Sequence, residues 1–226
     1  MARRDDVTLC VTMGLRPDEL RDTVESMGPE LRSYPILAVN DFGDEETNDV
    51  FRTLIPHGRI IDMNGKKGHM NALRALYAGV ETNYVMHFED DWEFVRTDFL
   101  DESIAILDEA RRVSQVCLRA DYDIKFARHA GDDLPCETLA GVETFRLDRL
   151  HDVWFRFTLN PHVARTRDWQ WIIRRNFRDE RHISRKMRGN QRYTAFLKDA
   201  VCHHAGRQLS VRKQLHPNAQ HLKVVA

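Results

Sequence analysis

The feature that most constrains this chain is residues 84–94, Tyr84-Val85-Met86-His87-Phe88-Glu89-Asp90-Asp91-Trp92-Glu93-Phe94. An apolar run of strand length ends in three consecutive carboxylates, and an aromatic residue follows at once. Adjacent acids repel one another, so a fold that keeps them together needs a positive species beside them. In extended chain, residues two apart point the same way. That places Glu89 and Asp91 on one side and Asp90 on the other. A hard divalent cation takes oxygen ligands, and Mg²⁺ in particular needs few from protein when a substrate phosphate supplies others. The competing reading is that the acids are solvated, or cap a helix that begins after Trp92.

The run does not stand alone. Val7-Thr8-Leu9-Cys10-Val11 reads as a central strand opening into Thr12-Met13-Gly14-Leu15-Arg16, with Pro17 at a first helical turn and Leu20, Val24 and Met27 at helical spacing. Residues 34–39 read as a second strand ending in Asn40-Asp41-Phe42-Gly43-Asp44, and residues 59–63 as a third ending in Asn64-Gly65-Lys66-Lys67-Gly68-His69. Helical patterns fill the gaps. Strand–helix alternation of this kind predicts an α/β fold, a mainly parallel sheet with helices on both faces. Ligands of such sheets bind at the carboxyl ends of the strands, where all four polar segments fall.

Farther on, residues 100–107 predict a helix and 116–118 a strand. Residues 121–133 read as loop, and 143–147 alternate weakly. Residues 153–159 alternate cleanly, predicting a half-buried strand broken by Asn160-Pro161. Trp169, Ile172 and Ile173 predict a helix, and Asp179-Glu180-Arg181-His182 opens another.

A chain of 226 residues with 42% apolar and 31% charged content fits one globular domain, 1–226. Within it, about 1–120 and about 121–226 read as two halves. Net charge of −1 argues against a protein that coats nucleic acid over its whole surface. Charge is unevenly spread, however: residues 165–213 hold 14 Lys or Arg against 4 acids, so this segment is either a polyanion-facing surface or a solvated helical face. Cys10, Cys117, Cys136 and Cys202 lack metal-finger spacing and read as free thiols of a reducing compartment. The N-terminus lacks the apolar core of a signal peptide, and no apolar run reaches membrane-span length. The expected location is cytoplasmic, with no transmembrane segment.

Taken together, these segments resemble the GT-A-fold glycosyltransferases, in particular the large inverting family that uses nucleotide-sugar donors. Residues 7–20 resemble its first strand and helix start, Ala38-Val39-Asn40-Asp41-Phe42-Gly43-Asp44 its nucleotide-contacting segment, residues 64–73 its Gly-containing loop with Asn-Ala-Leu, and Phe88-Glu89-Asp90-Asp91 its D-x-D region. The resemblance covers residues 7–95 well and 150–211 loosely. It implies a Rossmann-like GT-A fold and a divalent-metal-dependent transfer of a hexosyl or related group from a UDP-, GDP- or dTDP-type donor. It implies Asp91 as ligand to Mn²⁺ or Mg²⁺ and Glu89 near the ribose or metal, with His204 completing the metal or diphosphate site in competition with His203. Thr12, Met13 and Gly14, Asn40 or Asp41, Gly68, Asn71 and Asp90 would line the donor. Lys67, Arg207 and Ser210 would reach phosphate oxygens and stabilise the leaving diphosphate. A carboxylate that deprotonates the acceptor hydroxyl would be Glu180, or its neighbour Asp179; the alternative for both is an acidic first helical turn. The acceptor is open, with an anionic glycan or nucleic acid among the options. Two other functions fit parts of the pattern: a nucleotidyltransferase of sugar-nucleotide synthesis, and a non-catalytic glycan- or nucleic-acid-binding module.

Overall fold

The computed structural model describes residues 4–63, 68–151, 156–175 and 177–205. In chain order its elements are β1 (Val7–Met13), α1 (Pro17–Ser26), α2 (Gly28–Arg32), β2 (Ile36–Asn40), α3 (Glu45–Leu54), β3 (Arg59–Ile61), α4 (His69–Ala78), β4 (Tyr84–Glu89), β5 (Trp92–Phe94), α5 (Leu100–Glu109), β6 (Val113–Cys117), α6 (Lys125–Ala130), β7 (Cys136–Leu139), β8 (Val142–Phe145), β9 (His162–Arg165), α7 (Thr166–Ile173), α8 (Glu180–Gly189), β10 (Tyr193–Leu197) and β11 (Cys202–His204).

One sheet runs β3-β2-β1-β4-β9-β6-β10-β8-β7, and β11 pairs with β5 in a small second sheet. β1 is parallel to β2 and β4, whereas β9 is antiparallel to both β4 and β6. The expected α/β fold with a mostly parallel sheet is therefore present. Every residue of β1 is buried, as a strand covered on both faces requires. Leu9 and Val11 pack with Leu20 and Val24 of α1, Phe51 of α3 and Ile106 of α5. Cys10, pointing the other way, joins Leu73, Leu76 and Tyr77 of α4, Trp169 of α7 and Ile183 of α8. Both faces are thus sealed, and the strand ends are left as the place for a ligand.

Two expectations need correction. Residues 153–159 do not form the predicted strand: 156–159 are irregular, and 152–155 lie outside the described residues. Burial does not alternate here either, since Phe157 and its neighbour Thr158 are both buried. The backbone of this segment is satisfied elsewhere. The Arg156 amide donates to Ser184 Oγ, and the Thr158 carbonyl accepts from Gln115 Nε2. Groups already bonded to side chains have no need of a ladder. The pairing slot between β4 and β6 goes instead to β9, just past Asn160-Pro161. Residues 121–133, read as loop, contain the short helix α6.

Candidate active site

The carboxylate run sits at the carboxyl end of β4, beside the ends of β1 and β2. Strand alternation holds only to Glu89; Asp90 and Asp91 form a turn that reverses the chain into β5. Trp92 opens that strand, so the acids do not cap a helix there. Thr23 of α1 fixes this turn, its hydroxyl donating to the Asp90 carbonyl at 3.0 Å and accepting from the Trp92 amide at 3.2 Å. Asp90 is buried and accepts from the Gly14 amide at 2.9 Å. A side chain on Gly14 would have its Cβ 2.6 Å from the Phe42 ring and 2.8 Å from Asn40 Oδ1, and φ there is +153°, so glycine is required where the β1 end meets the β2 loop.

The positive species in the turn is Arg16. Its guanidinium pairs with Asp91 Oδ2 and stands 3.4 Å from Asp90 Oδ1. His204 approaches the same Asp91 oxygen from β11, with Nε2 at 3.2 Å, and the Ala205 amide donates to the Asp91 carbonyl. Pairing of β5 with β11 puts His204 opposite Trp92, which is how residues far apart in sequence meet. His204 is held in turn by Asp123, whose carboxylate accepts from its amide at 3.1 Å and from Arg119 Nε at 2.9 Å.

Ionisation follows from these neighbours. Burial, reinforced by Asp91 and Asp90, pushes the Glu89 carboxyl up to about 8. Burial raises Asp90 to about 7 despite Arg16 and the Gly14 amide. Asp91 behaves differently: burial acts to raise it, but the His204 hydrogen bond and the Arg16 charge together hold it below the usual carboxylate range. Hydrogen bonding to Asp91 correspondingly raises His204. The turn therefore keeps its one firmly anionic carboxylate at Asp91.

Thr12, Met13, Gly14, Arg16, Asp41, Phe42, His69, Glu89 and Asp90 surround a cavity of about 70 Å³ at these strand ends. Of the two β2 candidates, Asn40 is buried and fully occupied in shaping its own turn. Its Nδ2 donates to Asn48 and Asp44, and its Oδ1 accepts from the Phe42 and Gly43 amides. Asp41 lines the cavity, and its buried Oδ1 accepts no hydrogen bond. Asp44 ties the two loops together: it caps α3 through the Thr47 amide and accepts from the Leu15 amide at 2.8 Å. Leu15 is held there at φ +61°, a conformation that costs a branched side chain energy. Gly68, at φ +83°, precedes α4, while Asn71 lies in its first turn and accepts from Arg74 at 2.7 Å. Lys67, Arg207 and Ser210 lie outside the described residues.

Asp179 caps α8, accepting from the His182 amide at 2.8 Å, and is exposed. Glu180 is half-buried, and burial raises its carboxyl above the usual range, against hydrogen bonds from Thr158 and Leu159 and the charge of Arg119. Arg119, just beyond β6, thus acts on both Glu180 and the Asp123–His204 pair. His203 turns away, its Nε2 3.3 Å from Glu93. Sequence reading missed Arg16, His69, Arg119 and Asp123 as site neighbours. Arg16 was the discoverable one, being the nearest cation past the β1 end.

No protein-family model and no curated protein matches the sequence. Solved structures do match in fold. A mannosyltransferase from Pyrobaculum calidifontis in complex with GDP-Man and Mn²⁺ aligns with TM-score 0.62 at 12% identity, over 90% of this chain and 58% of its own. S. aureus TarS 1–349 aligns with TM-score 0.58 at 12% identity, over 88% and 60%; its complex with UDP-GlcNAc gives TM-score 0.59 over 89% and 59%. The chain has the GT-A fold. It spans less than two thirds of the length of these structures. Within the GT-A fold, the strand ends described above are the edge at which α/β sheets take their ligands. Among the described residues, no helix is long and apolar enough to cross a membrane.

A divalent ion is compatible with the Asp91 corner. Asp91 Oδ1 is buried and accepts no hydrogen bond, and a carboxylate with an imidazole is a donor set that suits Mn²⁺. Among the described residues, no three metal-ligating side chains converge closely enough to enclose an ion by themselves. Any ion held here takes its remaining ligands from water or a bound phosphate.

Proposed function

We propose that this chain is a glycosyltransferase that moves a sugar from a nucleoside-diphosphate sugar to an acceptor hydroxyl, with a divalent ion and inversion at the anomeric carbon. The observation that carries the reading is the meeting of Asp91 and His204 at the β4 end, within a fold shared with enzymes solved bound to GDP-Man and UDP-GlcNAc. Asp91 and His204 would hold Mn²⁺ or Mg²⁺, which when bound neutralises the diphosphate as it leaves. Asp41, with an unused buried oxygen, would contact the donor base, and Glu89 would sit near the ribose or metal. Gly14 allows the donor to approach the β1 backbone. Lys67, Arg207 and Ser210 remain candidates for phosphate contact.

Glu180 is the acceptor base. Its raised carboxyl is a better proton acceptor than a solvated glutamate, and Arg119 keeps a positive charge near both halves of the site. Asp179 contributes by capping α8 and so fixing where Glu180 starts. The chain works as one unit, residues 1–120 binding donor and 121–226 binding acceptor.

The test is donor turnover and binding across UDP-, GDP- and dTDP-sugars, with and without Mn²⁺. Selective, Mn²⁺-dependent hydrolysis or binding of one nucleotide class is expected. If no donor is bound and Asp91→Asn changes nothing, the enzyme reading fails.

A further inference from the structure

Arg16 is the residue whose position the proposed chemistry leaves unexplained. It lies at the N-cap of α1 with φ −140° and ψ 62°, outside regular structure. Its two Nη atoms reach Asp90 and Asp91, its Nε makes no hydrogen bond, and 18% of the side chain remains exposed, which leaves it a way out. Glu89 adds to this attraction when it is ionised. The guanidinium is therefore held by charge at the place where the acid cluster is most anionic. It bonds to Asp91 Oδ2, the oxygen that His204 also approaches.

Two cations cannot share that corner without strong repulsion: at about 4 Å, unit like charges repel by several kcal/mol at the effective dielectric of a protein surface, and a divalent ion doubles this. We propose that Arg16 is the resident counter-cation of the carboxylate turn, competing with the divalent ion for Asp91 and leaving it when the ion binds. The inference rests on the metal site of the proposed function. It adds that the metal-free protein is closed to metal by one of its own side chains. Arg16 balances Asp91 and its neighbour Asp90 in the absence of ligand, and its displacement frees a forked donor beside the β1–α1 loop, within reach of an anionic group arriving with the ion. Weak metal binding without donor follows, and tighter binding with it.

The test is Mn²⁺ titration of the donor-free protein by electron paramagnetic resonance, with wild type, Arg16→Met and Arg16→Lys. Arg16→Met keeps the length and removes the charge; it is expected to bind Mn²⁺ about tenfold tighter than wild type, equivalent to about 1.4 kcal/mol. Arg16→Lys, with a compact charge that cannot fork across two carboxylates, is expected between the two, and it provides the comparison should Arg16→Met not fold. Equal or weaker Mn²⁺ binding by these variants overturns the competition while leaving the metal site standing. Absence of Mn²⁺ binding in all three proteins overturns the metal site and the competition together.

Discussion

Strand β4 and the turn it runs into bury ionisable groups in two ways. At the strand end, Asp90 and Asp91 lie among an arginine, a histidine and a backbone amide. One repeat of the pleat before Glu89, on the face covered by α4 and α7, His87 is completely buried, and neither ring nitrogen has a hydrogen-bond partner. It lies among rings: His162 at 5.2 Å, Tyr77 at 5.9 Å and Trp169 at 6.0 Å between centroids. Its neighbour His162 is fixed as a neutral ring, accepting from Trp169 Nε1 at 3.0 Å and meeting the Asn160 carbonyl at 2.8 Å through Nδ1. Burial, reinforced at His87 by the neighbouring His162 and His69, keeps both histidines neutral near pH 7. At the strand end burial is opposed by counter-charge, and Asp91 stays ionised. The interior uses its polar groups for packing, and the edge keeps a charge, which is where the proposed function puts its ligand.

Activity measurements challenge this contrast most directly. Glu180→Gln is expected to lower kcat/KM by about 10²–10⁴-fold, the usual contribution of a general base, with the urea midpoint little changed from wild type. Because burial raises Glu180, the wild-type rate should fall as pH drops through a value above the ordinary glutamate range, where the base becomes protonated. That acid limb should vanish in the variant. A pH-rate profile checks both, and an unchanged limb would remove Glu180 from the base role.

Asp91→Asn follows, with an expected loss of about 10²–10³-fold in donor turnover, comparable to removing one electrostatic contact to the reacting group. It keeps the shape of the turn, so circular dichroism should not change. His87→Phe is the mirror experiment, altering stability and leaving donor affinity essentially unchanged. If the two variants exchanged these effects, the division between edge and interior would be wrong.

Much of this was legible in the sequence, and the exceptions have physical causes. The parallel half could be read because β1, β2 and β4 are runs of apolar residues separated by amphipathic helices, each ending in polar residues at one edge. Glu89 and Asp91 could be read from the acid run, but His204 joined them by resemblance; no sequence pattern places β11 against β5. The antiparallel part was harder. β9 is four residues, His162–Arg165, buried on both sides, and β10 is five. Neither is long enough to show a period, and their places depend on partners distant in the chain. Residues 156–159 have the side-chain pattern of a strand with backbone groups bonded to Ser184 and Gln115, which no pattern reveals. Arg16, though the nearest cation past the β1 end, was passed over for a related reason: an arginine at a helix start reads as surface until the neighbouring strand end is seen.

Stability against pH separates the two regions by sign. His162 is depressed from the ordinary 6.5 to about 4 by burial. Between those values the unfolded chain binds a proton that the folded chain refuses. Its contribution is complete above pH 6.5 and is lost as pH falls, reaching about 3 kcal/mol by about pH 4; His87, lowered well below its ordinary value, adds in the same direction. Urea denaturation at about pH 7 and about pH 4.5 should show this loss, and His87→Phe should reduce it.

The smallest expected effect lies at the carboxyl end of the strand, at Glu89, and runs the opposite way. Glu89 rises from 4.5 to about 8 on folding. Between those values the folded protein holds a proton that the unfolded chain has released, so this contribution is complete below pH 4.5 and is lost as pH rises through about 8. Without metal, Glu89→Gln, which cannot ionise, should therefore melt higher than wild type at about pH 8.5, by roughly 2–4 °C for each kcal/mol relieved in a chain of this size. At about pH 5 the gap should close, because both side chains are then neutral in the folded protein. Thermal melts at the two pH values measure it. Added Mn²⁺ should shrink the gap at the higher pH, since an ion at Asp91 favours ionised Glu89 as Arg16 does. A gap that persists in acid would mean that the amide of Glu89→Gln packs differently from the protonated carboxyl it replaces, and the contrast between the interior of β4 and its edge would then rest on the histidines alone.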